Sequence, residues 1–144
     1  MKRSRIVIVT TVSLCLVAGA IIVWAAYQNR GTVEKQGHVK SFTDANFEKE
    51  VVEASMLRPV VVDFSADWCS PCKMLDPIMR ELADDLKDRV IVGKLDTDKN
   101  LIARRFGISR IPTIFIIRNG EIKNAFFGPV PKEMLIRALE EYGS

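Results

Sequence analysis

A run of β-branched and apolar residues, Pro59–Ser65 (PVVVDFS), is separated by three residues from a Cys69-Ser70-Pro71-Cys72 pair. Such a run lacks the polar alternation of a half-exposed strand, so it reads as a central strand buried on both faces. Beyond the cysteines, Leu75, Ile78, Met79, Leu82 and Leu86 recur at helical spacing and form one apolar face. A buried strand turning over a few residues into an amphipathic helix is half of a βαβ unit, and it puts the two thiols at the start of the helix. Few architectures do so.

The surrounding chain extends the alternation. Val39–Phe42 reads as a short strand, followed by Thr43-Asp44 as N-cap residues of a helix that carries Phe47, Val51 and Val52 on one face. Pro77 falls inside the helix after the cysteines and should kink it. Arg89–Leu95 reads as a strand, Asn100–Phe106 as a short helix and Pro112–Ile117 as a strand. Asn119-Gly120 is a strong two-residue hairpin signal, after which Glu121–Phe127 returns as the partner strand. A last helix begins near Pro131, with Leu135, Ala138, Leu139 and Tyr142 on its apolar side. The pattern βαβαβαββα predicts an α/β domain over residues 39–144, with a mixed sheet covered by helices.

The N-terminal part follows a different rule. Ile6–Tyr27 is 22 residues without a charge, and about 20 apolar residues in a helix cross a hydrocarbon core of roughly 30 Å. Residues 6–27 are therefore expected to be a transmembrane anchor, with Trp24 and Tyr27 at the far interface. A cleaved signal peptide competes with that reading, since Ala18-Gly19-Ala20 resembles a cleavage site; the apolar run continues through Ile21–Trp24, which favours retention. Lys2, Arg3 and Arg5 make residues 1–5 a cytoplasmic n-region and send the domain to the extracytoplasmic, periplasmic side of the inner or plasma membrane. Residues 28–38 are polar, contain two glycines and read as a linker, with His38 as ordinary surface. The net charge of +3 has its source here: four of the 21 basic residues and none of the 18 acidic ones lie in residues 1–30, leaving 17 against 18 in the remainder. That balance excludes the basic face a nucleic-acid binder needs.

Three cysteines are present, and Cys15 within the apolar run reads as a small lipid-compatible side chain. A structural zinc site needs four ligands, and no second cysteine or histidine pair completes one, so no metal is expected. A structural disulfide is open to Cys69 and Cys72, although a bridge enclosing two residues removes little loop entropy. A redox pair is the third reading, and position favours it. Unsatisfied amides and the dipole at a helix start stabilise a thiolate, which makes Cys69 the nucleophile. Cys72, one turn further in, is placed to resolve a mixed disulfide, and Pro71 suits the first turn, where its missing N–H leaves nothing unpaired. Asp63, inside VVVDF, is a carboxylate in an apolar strand, and desolvation should raise its pKa.

The segments VVVDFSADWCSPCKMLDPI, KLDTDKN, FGISRIPTIFIIRNGE and FFGPV, in that order and spacing, resemble the thioredoxin family from Val39 to Ser144. The resemblance implies the thioredoxin fold, a five-stranded mixed sheet flanked by four helices; the transmembrane helix expected before it is a departure, since soluble thioredoxins lack such a span. It implies that Trp68 packs beside the disulfide, that Asp63 is a buried proton acceptor for Cys72, and that Lys94 lies near that acid and tunes it. It also implies a cis bond at Ile111-Pro112 facing the cysteines and a close-approach glycine at Gly128, which with Trp68 bind the substrate peptide. Two positions depart from the family pattern: Ser65 replaces a second tryptophan, and Ser70 replaces a glycine between the cysteines. The expected function is a monomeric protein-disulfide reductase acting on exported proteins, with no cofactor beyond the cysteine pair and recharged by a membrane electron donor. A disulfide-forming oxidase or isomerase, or a non-catalytic docking module, are its alternatives.

Overall fold

The computed structural model describes residues 38–142; the expected n-region, the apolar run at 6–27 and all of the linker but His38 lie outside the described residues. Among the described residues no helix is long and apolar enough to cross a membrane. The elements are β1 (Lys40–Phe42), α1 (Glu48–Glu53), β2 (Val60–Ser65), α2 (Ser70–Leu86), β3 (Ile91–Asp96), α3 (Ile102–Arg105), β4 (Thr113–Arg118), β5 (Glu121–Phe127) and α4 (Lys132–Glu140). They form one five-stranded sheet in the order β1-β3-β2-β4-β5. β1, β3 and β2 run parallel, while β4 is antiparallel to both β2 and β5. The mixed sheet with four helices is the architecture that the alternating pattern predicts.

β2 is central, and all six of its residues are buried. Side chains alternate across a strand, so β2 serves two cores. Val60, Val62 and Phe64 pack with Phe47 and Val51 of the α1 side and with Ile102 and Ala103 of α3. Val61 packs on the other face with Leu75, Met79 and Leu82 of α2 and with Leu135, Ala138 and Leu139 of α4. By the same alternation Asp63 and Ser65 face α2. On the first face, Phe64, Phe106 and Phe115 meet at ring-centroid distances of 5.1 to 6.2 Å, with edge-to-face pairs that suit the aromatic quadrupole.

Several boundaries move, each for a local reason. Thr43-Asp44 does not cap α1. The helix starts at Phe47, bonds in the wider i→i+5 pattern over Glu48–Glu53, and is preceded by a turn in which Asn46 Oδ1 accepts from the Thr43 amide at 2.8 Å. The Asp44 carboxylate instead accepts from the Leu101 and Ile102 amides at 2.8 and 2.9 Å, satisfying the orphan donors of α3 and holding its own pKa below the usual carboxylate range. α3 is shorter than the expected 100–106 because Asn100 is occupied elsewhere: its side chain donates to the Asp96 carbonyl and accepts from the Asp44 amide. β3 begins at Ile91 rather than Arg89, since the amides of Arg89 and Val90 both turn back to the Leu86 carbonyl. α2 runs on through Pro77, where only one intrahelical donor is missing. The hairpin tip has Asn119 and Gly120 at φ of 57° and 74°, as a type I′ turn requires, and the Gly120 amide donates to the Ser55 hydroxyl at the end of α1.

Candidate active site

The strand–turn–helix passage from β2 to α2 builds the site. Cys69 is the N-cap of α2, with extended φ and ψ of −79° and 103°, and Pro71 occupies the first turn. The Cys69 Sγ accepts from the Cys72 amide at 3.2 Å. Cys69 and Cys72 form a disulfide with an S–S distance of 2.09 Å and Cα atoms 5.3 Å apart. Both are buried, Cys72 completely. When the pair is reduced, the amide aimed at Cys69 Sγ and the positive end of the α2 dipole both favour a thiolate there.

Asp63, on the α2-facing side of β2, is 1% exposed, with neither carboxylate oxygen hydrogen-bonded within the protein. Burial pushes its pKa up to about 7; the Lys94 charge opposes that rise and the Asp76 charge adds to it. A carboxyl at that value exchanges a proton readily near neutrality, which is what a proton acceptor for a thiol requires. Lys94 lies beside Asp63 in the β2–β3 register, yet its ammonium bonds elsewhere, to Asp76 Oδ1 at 2.8 Å. A cleft of about 190 Å³, lined by Val39, Asp63, Asp76, Met79, Arg80 and Lys94, connects these groups. Asp76 escapes a motif-based reading, although its position four residues after Cys72 puts both on one helix face.

Around the cysteines, Ala66 and Ile111 pack with Cys69 and Cys72 in one small apolar cluster. The Ile111–Pro112 peptide bond is cis, and the Pro112 carbonyl accepts from the Gly128 amide at 2.9 Å. Gly128 has φ of +83°, a conformation glycine adopts without strain. Phe127, registered against Thr113 and 60% exposed, lies under the Arg110 guanidinium at 5.2 Å. Trp68 is 69% exposed, and its indole N–H donates to Asp98 Oδ2 at 2.7 Å, an anchor that a search for the cysteines alone does not reveal. Ser65 has a buried hydroxyl without a protein partner and lines a second cleft of about 700 Å³ along β1, which shares Val39 and Lys94 with the first. Among the described residues no group of three or more His, Cys, Asp or Glu side chains is placed to hold a metal ion.

What this arrangement can do chemically is exchange thiols for disulfides, and the chain is an oxidoreductase of the protein-disulfide reductase class. The Thioredoxin family model matches residues 38–141. The chain is 41% identical over 101 residues to a thioredoxin of Chlorobaculum thiosulfatiphilum, a match covering 69% of this chain and 92% of that one. It is 43% identical over 101 residues to thioredoxin 1 of Synechococcus elongatus, with the same coverage. A Rickettsia felis thioredoxin is 46% identical over 95 residues, covering 65% of this chain and 89% of its own length. The chain belongs to the thioredoxin family.

Proposed function

We propose that this chain reduces disulfides of exported proteins while held at the membrane by residues 6–27, with residues 28–38 as tether and 39–144 as the working domain. The observation that carries the redox part is the Cys69–Cys72 disulfide at the α2 N-terminus, with a buried Asp63 on the neighbouring strand that lacks a protein hydrogen-bond partner. In the reduced enzyme the Cys69 thiolate attacks one sulfur of a substrate disulfide. A mixed disulfide forms and the substrate's other sulfur leaves as a thiolate. Asp63 takes the proton of the Cys72 thiol, and the Cys72 thiolate then attacks Cys69 Sγ, releasing the second substrate thiolate. The substrate gains two electrons and the enzyme is left with Cys69–Cys72 oxidised. Trp68, Ile111, Pro112 and Gly128 form the face against which the substrate backbone lies, with Lys94 acting on Asp63 through its charge.

The anchor rests on the uncharged stretch Ile6–Tyr27, and the extracytoplasmic side on the basic residues Lys2, Arg3 and Arg5 before it. A domain outside the cytoplasm has no soluble glutathione pool to recharge it, so the electrons come by exchange from a dithiol of a membrane partner. The enzyme works as a monomer. Ser70 between the cysteines favours a second reading, an oxidase or isomerase, because the residues there alter thiolate stability.

Two measurements decide. The Cys72→Ser variant should accumulate a mixed disulfide on Cys69 with exported proteins; recovery of no disulfide-linked partner would sink the substrate assignment. A reduction potential near that of reducing thioredoxins, about −270 mV, is expected, and a value above about −200 mV would make the oxidising reading correct.

A further inference from the structure

Three charged groups converge on the cleft beside Asp63, and their pairing is unequal. Lys94 of β3 and Asp76 and Arg80 of α2 line it, while on the other side the partner of Asp63 in β4 is the apolar Ile114. Asp63 is at the closed end, 1% exposed, whereas the Lys94 and Asp76 side chains are each 34% exposed at the mouth. The Lys94 ammonium has the nearer claim on Asp63 by strand register, but its hydrogen bond goes to Asp76 Oδ1 at 2.8 Å, and the Asp63 oxygens are left without one. Arg80 does not compete for the same acceptor: its Nε donates to the Asp76 carbonyl at 3.1 Å, tying the α2 backbone at that turn and leaving the carboxylate to Lys94.

We infer that Asp76 is a positioning residue for proton exchange at Asp63: its carboxylate holds the Lys94 ammonium at the mouth of the cleft, so that the buried acid faces Cys72 without a bonded cation. This rests on the proton-acceptor reading of Asp63. Proximity alone would let the lysine move inward to Asp63, fix it as the anion and leave a weaker base beside Cys72. Asp76 opposes that in two ways of the same sign, by engaging the ammonium and by placing a second negative charge near the first. The cleft of about 190 Å³ has room for water, which would carry the accepted proton from Asp63 out past the Lys94–Asp76 pair. The direction of each neighbour's influence on Asp63, Lys94 downward and Asp76 upward, agrees with this division of labour.

The test is the titration of the Asp63 carboxyl in the full-length oxidised chain, followed by carbon-13 NMR, together with the pH profile of insulin reduction with dithiothreitol as donor. Asp76→Asn, nearly isosteric, should move the Asp63 midpoint down by about one pH unit and shift the rate profile the same way. Asp76→Glu, which keeps a charge within reach of Lys94, should restore the wild-type midpoint; Lys94→Gln should move it up. In an Asp63→Asn background, Asp76→Asn should leave the rate profile unchanged. An unmoved midpoint in Asp76→Asn, or an equal rate effect with and without Asp63, would overturn the inference. Should the wild-type chain fail to reduce insulin, the catalytic reading falls, and the NMR titration still decides what Asp76 does to Asp63.

Discussion

At the scale of single residues, the most informative group is the buried acid of β2, Asp63. A folded-state pKa of about 7 against an ordinary 3.8 means that the native protein binds a proton at Asp63 more tightly than the unfolded chain does. Stability from that proton is fully present below about pH 4 and is lost as pH rises through about 7. Over the whole interval the loss reaches up to about 4 kcal/mol, an upper figure because the buried site relaxes and admits water. Asp63→Asn should therefore raise the denaturation midpoint strongly at pH 8 and hardly at all at pH 3.5, as urea melts at the two pH values would report. A uniform stabilisation at both would mean that ionisation is not the cause. The same variant should slow insulin reduction most at alkaline pH, where wild-type Asp63 is ionised and ready to accept a proton. Asp63, Cys69 and Cys72 are legible in the sequence because each breaks a local rule: an acid within an apolar strand and two thiols at a helix start. Asp76 and Asp98 break none. A helix-surface acid and a loop acid look ordinary until the fold brings Lys94 and the Trp68 indole to them.

At the scale of elements, the parallel pair β1–β3 depends on one missing side chain. Gly93 is paired with Lys40 across the ladder, and a Cβ built on it would lie 2.3 Å from the ring of Phe42. Phe42 is itself fully buried in the core with Val51, Phe64 and Leu95, so the ring has nowhere to retreat. Gly93→Ala should destabilise the domain by about 1–3 kcal/mol through overpacking, read as a lower urea midpoint with an unchanged m-value; a neutral result would mean that Phe42 repacks freely. Strand interiors normally disfavour glycine, so composition alone would count Gly93 against β3. The apolar run still marks that strand, as it marks β2 and β4, because a strand buried on both faces carries a near-continuous apolar sequence. Helix starts are less legible. Thr43-Asp44 has the right chemistry for a cap, and nothing local says that its carboxylate serves α3, 57 residues further on. Capping needs an oxygen and orphan amides; it does not require that they be neighbours in the chain.

At the scale of the whole molecule, the question is how the family domain and the N-terminal stretch divide the work. Residues Gln36–Ser144 form a compact unit of their own. The 101 residues aligned with the Chlorobaculum thioredoxin make up 92% of that protein, so a chain of about this domain's length is a whole family member elsewhere. The chemistry is therefore expected to reside entirely in 36–144. That fragment should fold cooperatively and reduce insulin at the full-length rate, and a tenfold shortfall would show that the N-terminal part contributes to catalysis. On the proposed function, the uncharged Ile6–Tyr27 segment sets where, and not whether, the reaction occurs. Burying about 20 apolar residues in a bilayer is effectively irreversible on a cellular timescale, so the full-length chain should remain in the membrane pellet after alkaline extraction with Met1 or Lys2 still at its N-terminus. A reporter fused after Ser144 should be active only outside the cytoplasm. A soluble chain shortened after Ala20 would instead identify a cleaved signal, keeping the exported chemistry and removing the tether; a reporter active inside the cell would remove the exported substrates as well. The proposed anchor would also reduce the search for partners to two dimensions. On the proposed function a membrane dithiol donor meets Cys69–Cys72 across residues 28–38, the expected linker. Lengthening that linker with Gly-Ser repeats should leave insulin reduction unchanged while slowing recharging in cells, seen as a larger oxidised fraction of Cys69–Cys72 by thiol trapping.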